Sequence, residues 1–272
     1  FLPENNVFNL YGGGQKGFDL LADGIQVIKD IPDDFELTDR QRIQIDSLLS
    51  GQPYIDEEKI KDFLSTLHYP LYYLDFETFS PAIPIFNGTH PHQIIPFQFS
   101  LHTVTKEASA PKHFSFLAEG TEDPRPEFLS QLRKTLGDKG SIVVYNQGFE
   151  KGVLKELGEA FPEYGEWAEE ISARMIDLYS PFRSFYYYHP LQNGSTSLKK
   201  VLPALTGKDY QDLDINNGQV ASLAFQHAAY GNVPEEVRSQ VRGALEKYCA
   251  LDTAGMMWIV DRLKEIVETK YG

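Results

Sequence analysis

The segment that most constrains the fold of this 272-residue chain is Leu71–Phe79, whose sequence is LYYLDFETF. Apolar and aromatic residues occupy both of its faces, a pattern typical of a central strand that is buried on both sides of a sheet. Asp75 and Glu77 interrupt this pattern, and side chains two residues apart on a strand point to the same face. Two adjacent carboxylates in a buried strand are costly unless a cation pairs with them.

The Asp75–Glu77 pair has two interpretations. No Lys or Arg lies within the strand, and a Mg²⁺ or Mn²⁺ ion would satisfy both groups because such hard ions prefer carboxylate oxygens. Alternatively, the strand ends early and both side chains reach solvent. Taken alone, an Asp-x-Glu pair favours solvent exposure.

The pattern along the rest of the chain predicts an α/β protein. Strand signals dominate from residue 69 to residue 145, and mainly helical signals follow. We therefore expect one α/β domain over residues 69–272. Residues 1–68 have helical periodicity and contain 13 acidic and 6 basic residues. They predict a small helical appendage, or a linker from an upstream domain, and the absence of an initial Met suggests a piece of a longer protein.

A second acidic motif is the sequence YNQGFE, in which Asn146 ends a buried strand and Glu150 lies in the first turn of a helix. From this position Glu150 could reach the same point as Asp75. Alternatively, Glu150 is an acid that favours the positive end of a helix dipole, or it pairs with Lys151, which follows it.

A third motif lies in the last helix, where Tyr248 and Asp252 are four residues apart and therefore share one face. That face is otherwise apolar, and an acid on a buried helical stripe needs a partner. Alternatively, Asp252 is a locally hydrogen-bonded residue at the edge of the core.

The order of these three motifs resembles that of the DEDD 3′→5′ exonuclease superfamily, in its tyrosine-bearing branch. It is also similar to an uncharacterised bacterial family of C-terminal domains that is assigned to that superfamily. The resemblance covers residues 69–265 and includes the segments MIDLY (175–179) and SLKKVL (197–202). One departure is Glu150, because the family's second motif usually ends in Asp.

The resemblance implies an RNase H-like mixed β-sheet flanked by helices, and a 3′→5′ exonuclease that hydrolyses DNA or RNA by a two-metal-ion mechanism. Nucleoside 5′-monophosphates would be released, with a single-stranded 3′ end as the expected substrate. Tyr248 would orient the attacking water. The family positions of the ligands to two Mg²⁺ or Mn²⁺ ions correspond to Asp75, Glu77, Glu150 and Asp252. Supporting or substrate-binding positions correspond to Asn146, Asp177 and Lys199.

Two other functions remain open. Glu150 and the acidity of the chain are compatible with a catalytically degenerate module that binds nucleic acid or acts as a scaffold. A carboxylate pair could also serve an acid–base hydrolase of the glycosidase type, although three acidic motifs exceed what such a pair needs.

Composition limits the partners. The net charge of -14 should repel polyanions, so we expect weak, metal-dependent binding to nucleic acid. The single cysteine, Cys249, excludes an internal disulfide and a multi-cysteine zinc site, and it favours a reducing, cytoplasmic setting. No run of about 18 apolar residues is present, so we expect no membrane span. The choice between DNA and RNA and the oligomeric state are left open.

Overall fold

The computed structural model describes residues 1–268. Its strands are β1 (Tyr54–Ile55), β2 (Leu71–Phe79), β3 (Ile95–Val104), β4 (Lys112–Leu117), β5 (Ser141–Val144), β6 (Met175–Asp177) and β7 (Tyr187–Tyr188). Its α-helices are α1 (Gln15–Ala22), α2 (Asp39–Ser50), α3 (Glu57–Ser65), α4 (Arg125–Thr135), α5 (Gly148–Ala160), α6 (Gly165–Ala173), α7 (Tyr179–Arg183), α8 (Leu198–Thr206), α9 (Gly218–Tyr230) and α10 (Glu235–Glu268). Short 3₁₀ helices lie at Val7–Asn9, Ile28–Asp30, Pro162–Tyr164 and Pro190–Gln192.

The chain divides into two compact units. The first contains Phe1–Ser65, Tyr179–Asp209 and the chain from Ile259 onward, and the second contains Thr66–Leu178 and Tyr210–Trp258. The first unit is mainly helical, and β1 pairs with β7 there as a short antiparallel sheet. The second unit contains strand β2 with Asp75 and Glu77, the first turn of α5 with Glu150, and the motif around Tyr248.

The second unit is built on a five-stranded mixed sheet with the order β4-β3-β2-β5-β6. Strand β2 is antiparallel to β3 and parallel to β5, while β4 is antiparallel to β3 and β6 is parallel to β5. The predicted central strand is therefore confirmed with its bounds at Leu71–Phe79. The α/β class with a mixed sheet flanked by helices is also confirmed.

Helices cover both faces of this sheet because β2 and β3 carry apolar or buried side chains on each face. On one face, Phe128 of α4 packs edge-on against Phe76 and Phe99, with ring centroids 5.1 and 5.5 Å apart. On the other face, Ser100 of β3 hydrogen-bonds Thr253 of α10 at 2.7 Å. Since Asp75 is the cross-strand partner of Ser100, Asp75 lies on the α10 face.

Strand β2 extends beyond its parallel neighbour. Its pairing with β5 involves only Leu71, Tyr72 and Tyr73, so the half of β2 that carries the two acids lies past the end of β5. A register shift follows Glu77 in the pairing with β3, and such irregularities alter where side chains point. The open half of β2 therefore leaves room for side chains that follow β5.

The connection between α4 and β5 requires glycine at one position. Gly140 has a φ of +87°, and a β-carbon there would collide with the backbone oxygen of Pro70. Arg174 fixes the same loop by donating hydrogen bonds to the carbonyls of Gly137, Lys139 and Gly140. The loop places the first residue of β5 beside β2.

We predict that Gly140→Ala lowers the free energy of unfolding by at least about 2 kcal/mol, because it adds both left-handed backbone strain and a backbone collision. Gly152→Ala is the matched control, since Gly152 lies exposed in α5 with no atom within 4 Å of an added β-carbon. We expect it to stabilise the protein by about 0.5–1 kcal/mol. Urea denaturation of both variants checks this, and equal effects would contradict it.

Candidate metal centre

Asp75 and Glu77 lie on the open half of β2, and the strand continues past them to Phe79. Glu77 is only 7% exposed, and Asp75 is half-buried. The alternative in which the strand ends early and both acids reach solvent is therefore wrong. Carboxylate oxygens of both residues and the Cys249 sulfur all lie within 4.8 Å of one another.

Acids from the other two motifs act electrostatically on Asp75. Burial raises the pKa of Asp75 well above its usual value, and the charges of Asp252, Glu77 and Glu150 raise it further. The Cys249 thiol donates a hydrogen bond to Asp75 Oδ2 at 3.6 Å, and this bond lowers the pKa of Asp75. Four carboxylates from three separate motifs thus act on one another in the second unit.

Glu150 is the most deeply buried of these acids, with 2% of its surface exposed. It lies in the first turn of α5, where an acid would ordinarily reach solvent. Burial raises the pKa of Glu150 to about 8, and the charge of Asp177 contributes in the same direction. Within the described part of the chain, its Oε2 atom has no hydrogen-bond partner, while Lys151 lines a groove between α5 and α6. A backbone hydrogen bond at the start of α5 lowers the pKa of Glu150, but burial outweighs it.

Tyr248 and Asp252 lie on the buried face of α10, as predicted from their spacing, with 4% and 5% of their surfaces exposed. Tyr210 donates a hydrogen bond from its hydroxyl to Asp252 Oδ1 at 2.6 Å, and its ring lies 6.3 Å from that of Tyr248. Burial, followed by the charge of Asp252, raises the pKa of both tyrosines. Both hydroxyls therefore keep their protons and can act as hydrogen-bond donors.

Asn146 and Asp177 hold the turn that leads into α5. Asn146 has a φ of +75°, a left-handed conformation that Asn tolerates better than most residues. Its backbone N–H donates to Asp177 Oδ1 at 2.9 Å. The pair joins the ends of β5 and β6 and sets the start of α5, and hence the position of Glu150. The remaining predicted residue, Lys199, lies half-buried on α8 in the first unit and is not among the residues that the second unit brings together.

Sequence reasoning missed two residues of this centre. Tyr210 lies in a polar connection without periodicity, and no local signal links it to Asp252. Cys249 lies next to Tyr248 inside the third motif, and its proximity to a predicted acidic residue was the one available signal. The single occurrence of Cys249 by itself indicates the redox setting and excludes a disulfide, but it does not indicate a contact with Asp75.

In the second unit, Asp75, Glu77 and Cys249 offer ligand atoms that all lie within 4.8 Å of one another, and the charges of Glu150 and Asp252 act on the same Asp75. An unpartnered, buried carboxylate oxygen at Glu150 is the kind of group that a bound cation would satisfy. Hard divalent ions select such oxygen-rich sites.

Comparisons with known proteins give similarity without an assigned activity. The profile of a family described as a domain of unknown function, DUF2779, matches residues 72–197. This range includes Asp75, Glu77 and Glu150 but ends before Tyr248 and Asp252. No solved structure matches the chain. Among the described residues, no helix is long and apolar enough to cross a membrane.

Curated relatives are uncharacterised proteins of mycoplasmas. The chain is 28% identical over 230 residues to the uncharacterised protein MG366 of Mycoplasma genitalium, which covers 77% of this chain and 34% of that protein. It is 27% identical to the MG366 homolog of Mycoplasma pneumoniae, with the same coverage. The uncharacterised protein UU173 of Ureaplasma parvum is 24% identical over 76% of this chain and 33% of its own length. The matched region thus spans about a third of these relatives and includes most of this chain.

Proposed function

We propose that this chain is a metal-dependent 3′→5′ exonuclease that hydrolyses phosphodiester bonds of DNA or RNA and releases nucleoside 5′-monophosphates. The observation that carries this proposal is the convergence of three acidic motifs, far apart in sequence, around Asp75. Their order along the chain is the order that resembles the tyrosine-bearing DEDD exonucleases. The mixed sheet flanked by helices is compatible with the RNase H-like fold that the resemblance implies.

The residues fit a pair of divalent cations. Asp75, Glu77, Glu150 and Asp252 would hold two Mg²⁺ or Mn²⁺ ions, and the mutual repulsion of these carboxylates would be relieved by them. When bound, such ions would supply Lewis-acid activation of water and neutralise charge on the leaving oxygen.

Other residues of the centre would position the reactants. Tyr248 would orient the attacking water through its protonated hydroxyl, and Tyr210 would hold Asp252 through their 2.6 Å hydrogen bond. Attack forms a new phosphorus–oxygen bond, the bond to the 3′-oxygen breaks, and that oxygen takes up a proton. Asn146 and Asp177 would support the turn that positions Glu150, and Lys199 is a candidate contact to substrate.

The presence of Glu150 where the related motif usually has Asp favours a second candidate function. A longer side chain changes where the carboxylate lies, and a degenerate module that binds nucleic acid without hydrolysing it would tolerate such a change. The burial of Glu150 supports the catalytic proposal instead, because a carboxylate without a role would avoid the cost of desolvation. An acid–base hydrolase is less well supported, since four carboxylates converge rather than two.

The setting of this activity is part of the proposal. The net charge of -14 disfavours a broad basic surface for duplexes, so a single-stranded 3′ end is the proposed substrate. A chain with a single cysteine, Cys249, fits a cytoplasmic protein. The match covers about a third of the mycoplasma relatives, which is compatible with a longer protein that contains this chain.

We predict that the full chain shortens a 3′-labelled single strand when Mg²⁺ or Mn²⁺ is present, and that EDTA stops the reaction. Asp75→Asn should reduce the rate by at least about a hundredfold, because loss of a metal ligand removes several kcal/mol of transition-state stabilisation. Asp46→Asn, at an exposed acid on α2, is the matched control and should retain full activity. Gel analysis of DNA and RNA strands measures both.

Two results would decide against the exonuclease. Undiminished turnover by Asp75→Asn would remove this residue from the reaction. Strand binding with Mn²⁺ but no hydrolysis under any condition would favour the degenerate binding module.

A second prediction concerns the metal-free protein. Because the pKa of Glu150 is about 8 in the folded chain against an ordinary value of 4.5, stability is lost as the pH rises between these values. Glu150→Gln cannot ionise and avoids this loss. Relative to the wild type, we expect the free energy of unfolding of the variant to rise by up to roughly 1.4 kcal/mol per pH unit between these two pKa values. Below pH 4.5 the difference should not change with pH.

Urea denaturation in EDTA near pH 4.5 and near pH 8 measures this difference. Glu163→Gln, at an exposed residue, is the control and should show the pH dependence of the wild type. A gain for Glu150→Gln that does not change with pH would contradict the burial of an ionisable Glu150.

A further inference from the structure

Cys249 has no role in the proposed hydrolysis, although it lies among the acids of the centre. It is fully buried on α10, and its sulfur lies 3.6 Å from Asp75 Oδ2 and 3.9 Å from the backbone oxygen of Asp75. With one oxygen each from Asp75 and Glu77 it forms a group of three potential ligand atoms within 4.8 Å of one another. This is a mixed sulfur and oxygen donor set rather than a purely acidic one.

We propose that Cys249, Asp75 and Glu77 form a binding site for thiophilic divalent ions such as Zn²⁺, and that such an ion inhibits the centre by occupying carboxylates that hydrolysis requires. The inference rests on the proposed function, because it takes Asp75 and Glu77 to be metal ligands. Ligand softness provides the selectivity, since thiolates favour ions such as Zn²⁺ whereas carboxylates suit Mg²⁺ and Mn²⁺.

An independent observation supports a cation at this position. Glu150 is 2% exposed and its Oε2 atom has no hydrogen-bond partner among residues 1–268, yet its charge acts on Asp75. A further buried carboxylate whose hydrogen-bonding capacity is unfilled thus interacts electrostatically with the proposed ligand group. A cation held by Asp75 and Glu77 would offset the cost of burying that group.

The same thiol has two states in this proposal. Without an ion, the Cys249 S–H donates to Asp75 Oδ2. With Zn²⁺, a sulfur–metal bond forms and the thiol proton passes to solvent, because the thiolate is the form that binds metals. Activity would therefore depend on which class of ion occupies the centre.

The test uses Co²⁺ as a spectroscopic substitute for Zn²⁺, with the full chain. Because Cys249 is the only cysteine in the sequence, any sulfur-to-cobalt charge-transfer band in the near ultraviolet must arise from it. We expect this band to grow with Co²⁺ to one equivalent in the wild type and to disappear when Zn²⁺ is added. Cobalt binding by calorimetry without such a band would overturn the proposal.

Substitutions of Cys249 and Asp75 test whether these residues bind the cobalt ion. Cys249→Ser should lose the band and weaken Co²⁺ binding by at least about tenfold, while Mn²⁺ affinity changes little. Cys249→Ala provides the same test if the serine variant folds poorly, with circular dichroism as the check on folding. Asp75→Asn should also lose the band, and its persistence in that variant would contradict the shared ligand set.

These readouts separate this proposal from the exonuclease. A cobalt band in a protein that never hydrolyses nucleic acid would support the metal site and reject the exonuclease. Hydrolysis with Mn²⁺ that Zn²⁺ does not inhibit, together with no cobalt band, would reject the site proposed here and retain the exonuclease.

Discussion

The mutual repulsion of buried carboxylates around Asp75 is the constraint on which the rest of this centre depends. Burial and three neighbouring acids all raise the pKa of Asp75, so the folded chain holds these groups together at a cost. That cost must be offset by the surrounding packing. On the opposite face of β2, Phe76 packs on Phe128 of α4. Phe225 of α9 stacks on Phe97 of β3, with ring centroids 3.9 Å apart. Apolar packing thus surrounds a group of mutually repelling carboxylates, and a bound cation would relieve that repulsion.

The central strand was predictable because its signals are local. An apolar, aromatic segment of nine residues specifies a buried strand, and the period of two residues specifies that Asp75 and Glu77 share a face. The spacing of Tyr248 and Asp252 similarly specified a common face of α10. The α/β class followed from the succession of strands and helices, whereas the mixed sheet was implied by the resemblance to the DEDD exonucleases.

Other features depend on contacts that no local pattern contains. The hydrogen bond from Tyr210 joins residues 42 positions apart, and that of Cys249 joins residues 174 positions apart. For Glu150 a local signal exists but is overridden. The helix-dipole rule favours an exposed acid at the start of a helix, whereas tertiary packing buries this one. The grouping of Tyr179–Asp209 with the first 65 residues is likewise a long-range property. Sequence therefore indicated which acids to consider, and the fold determined what surrounds them.

The central claim is that the acids around Asp75 form a two-ion centre. Anomalous diffraction from crystals grown with Mn²⁺ tests it most directly, because manganese positions are then located independently of any assay. We predict two anomalous peaks beside Asp75, about 4 Å apart, with Glu150 and Asp252 among the ligands. The claim would be contradicted if the side chains of Asp75, Glu77 and Glu150 are well ordered and no anomalous peak lies among them. The manganese concentration must be high enough to fill a site of this kind.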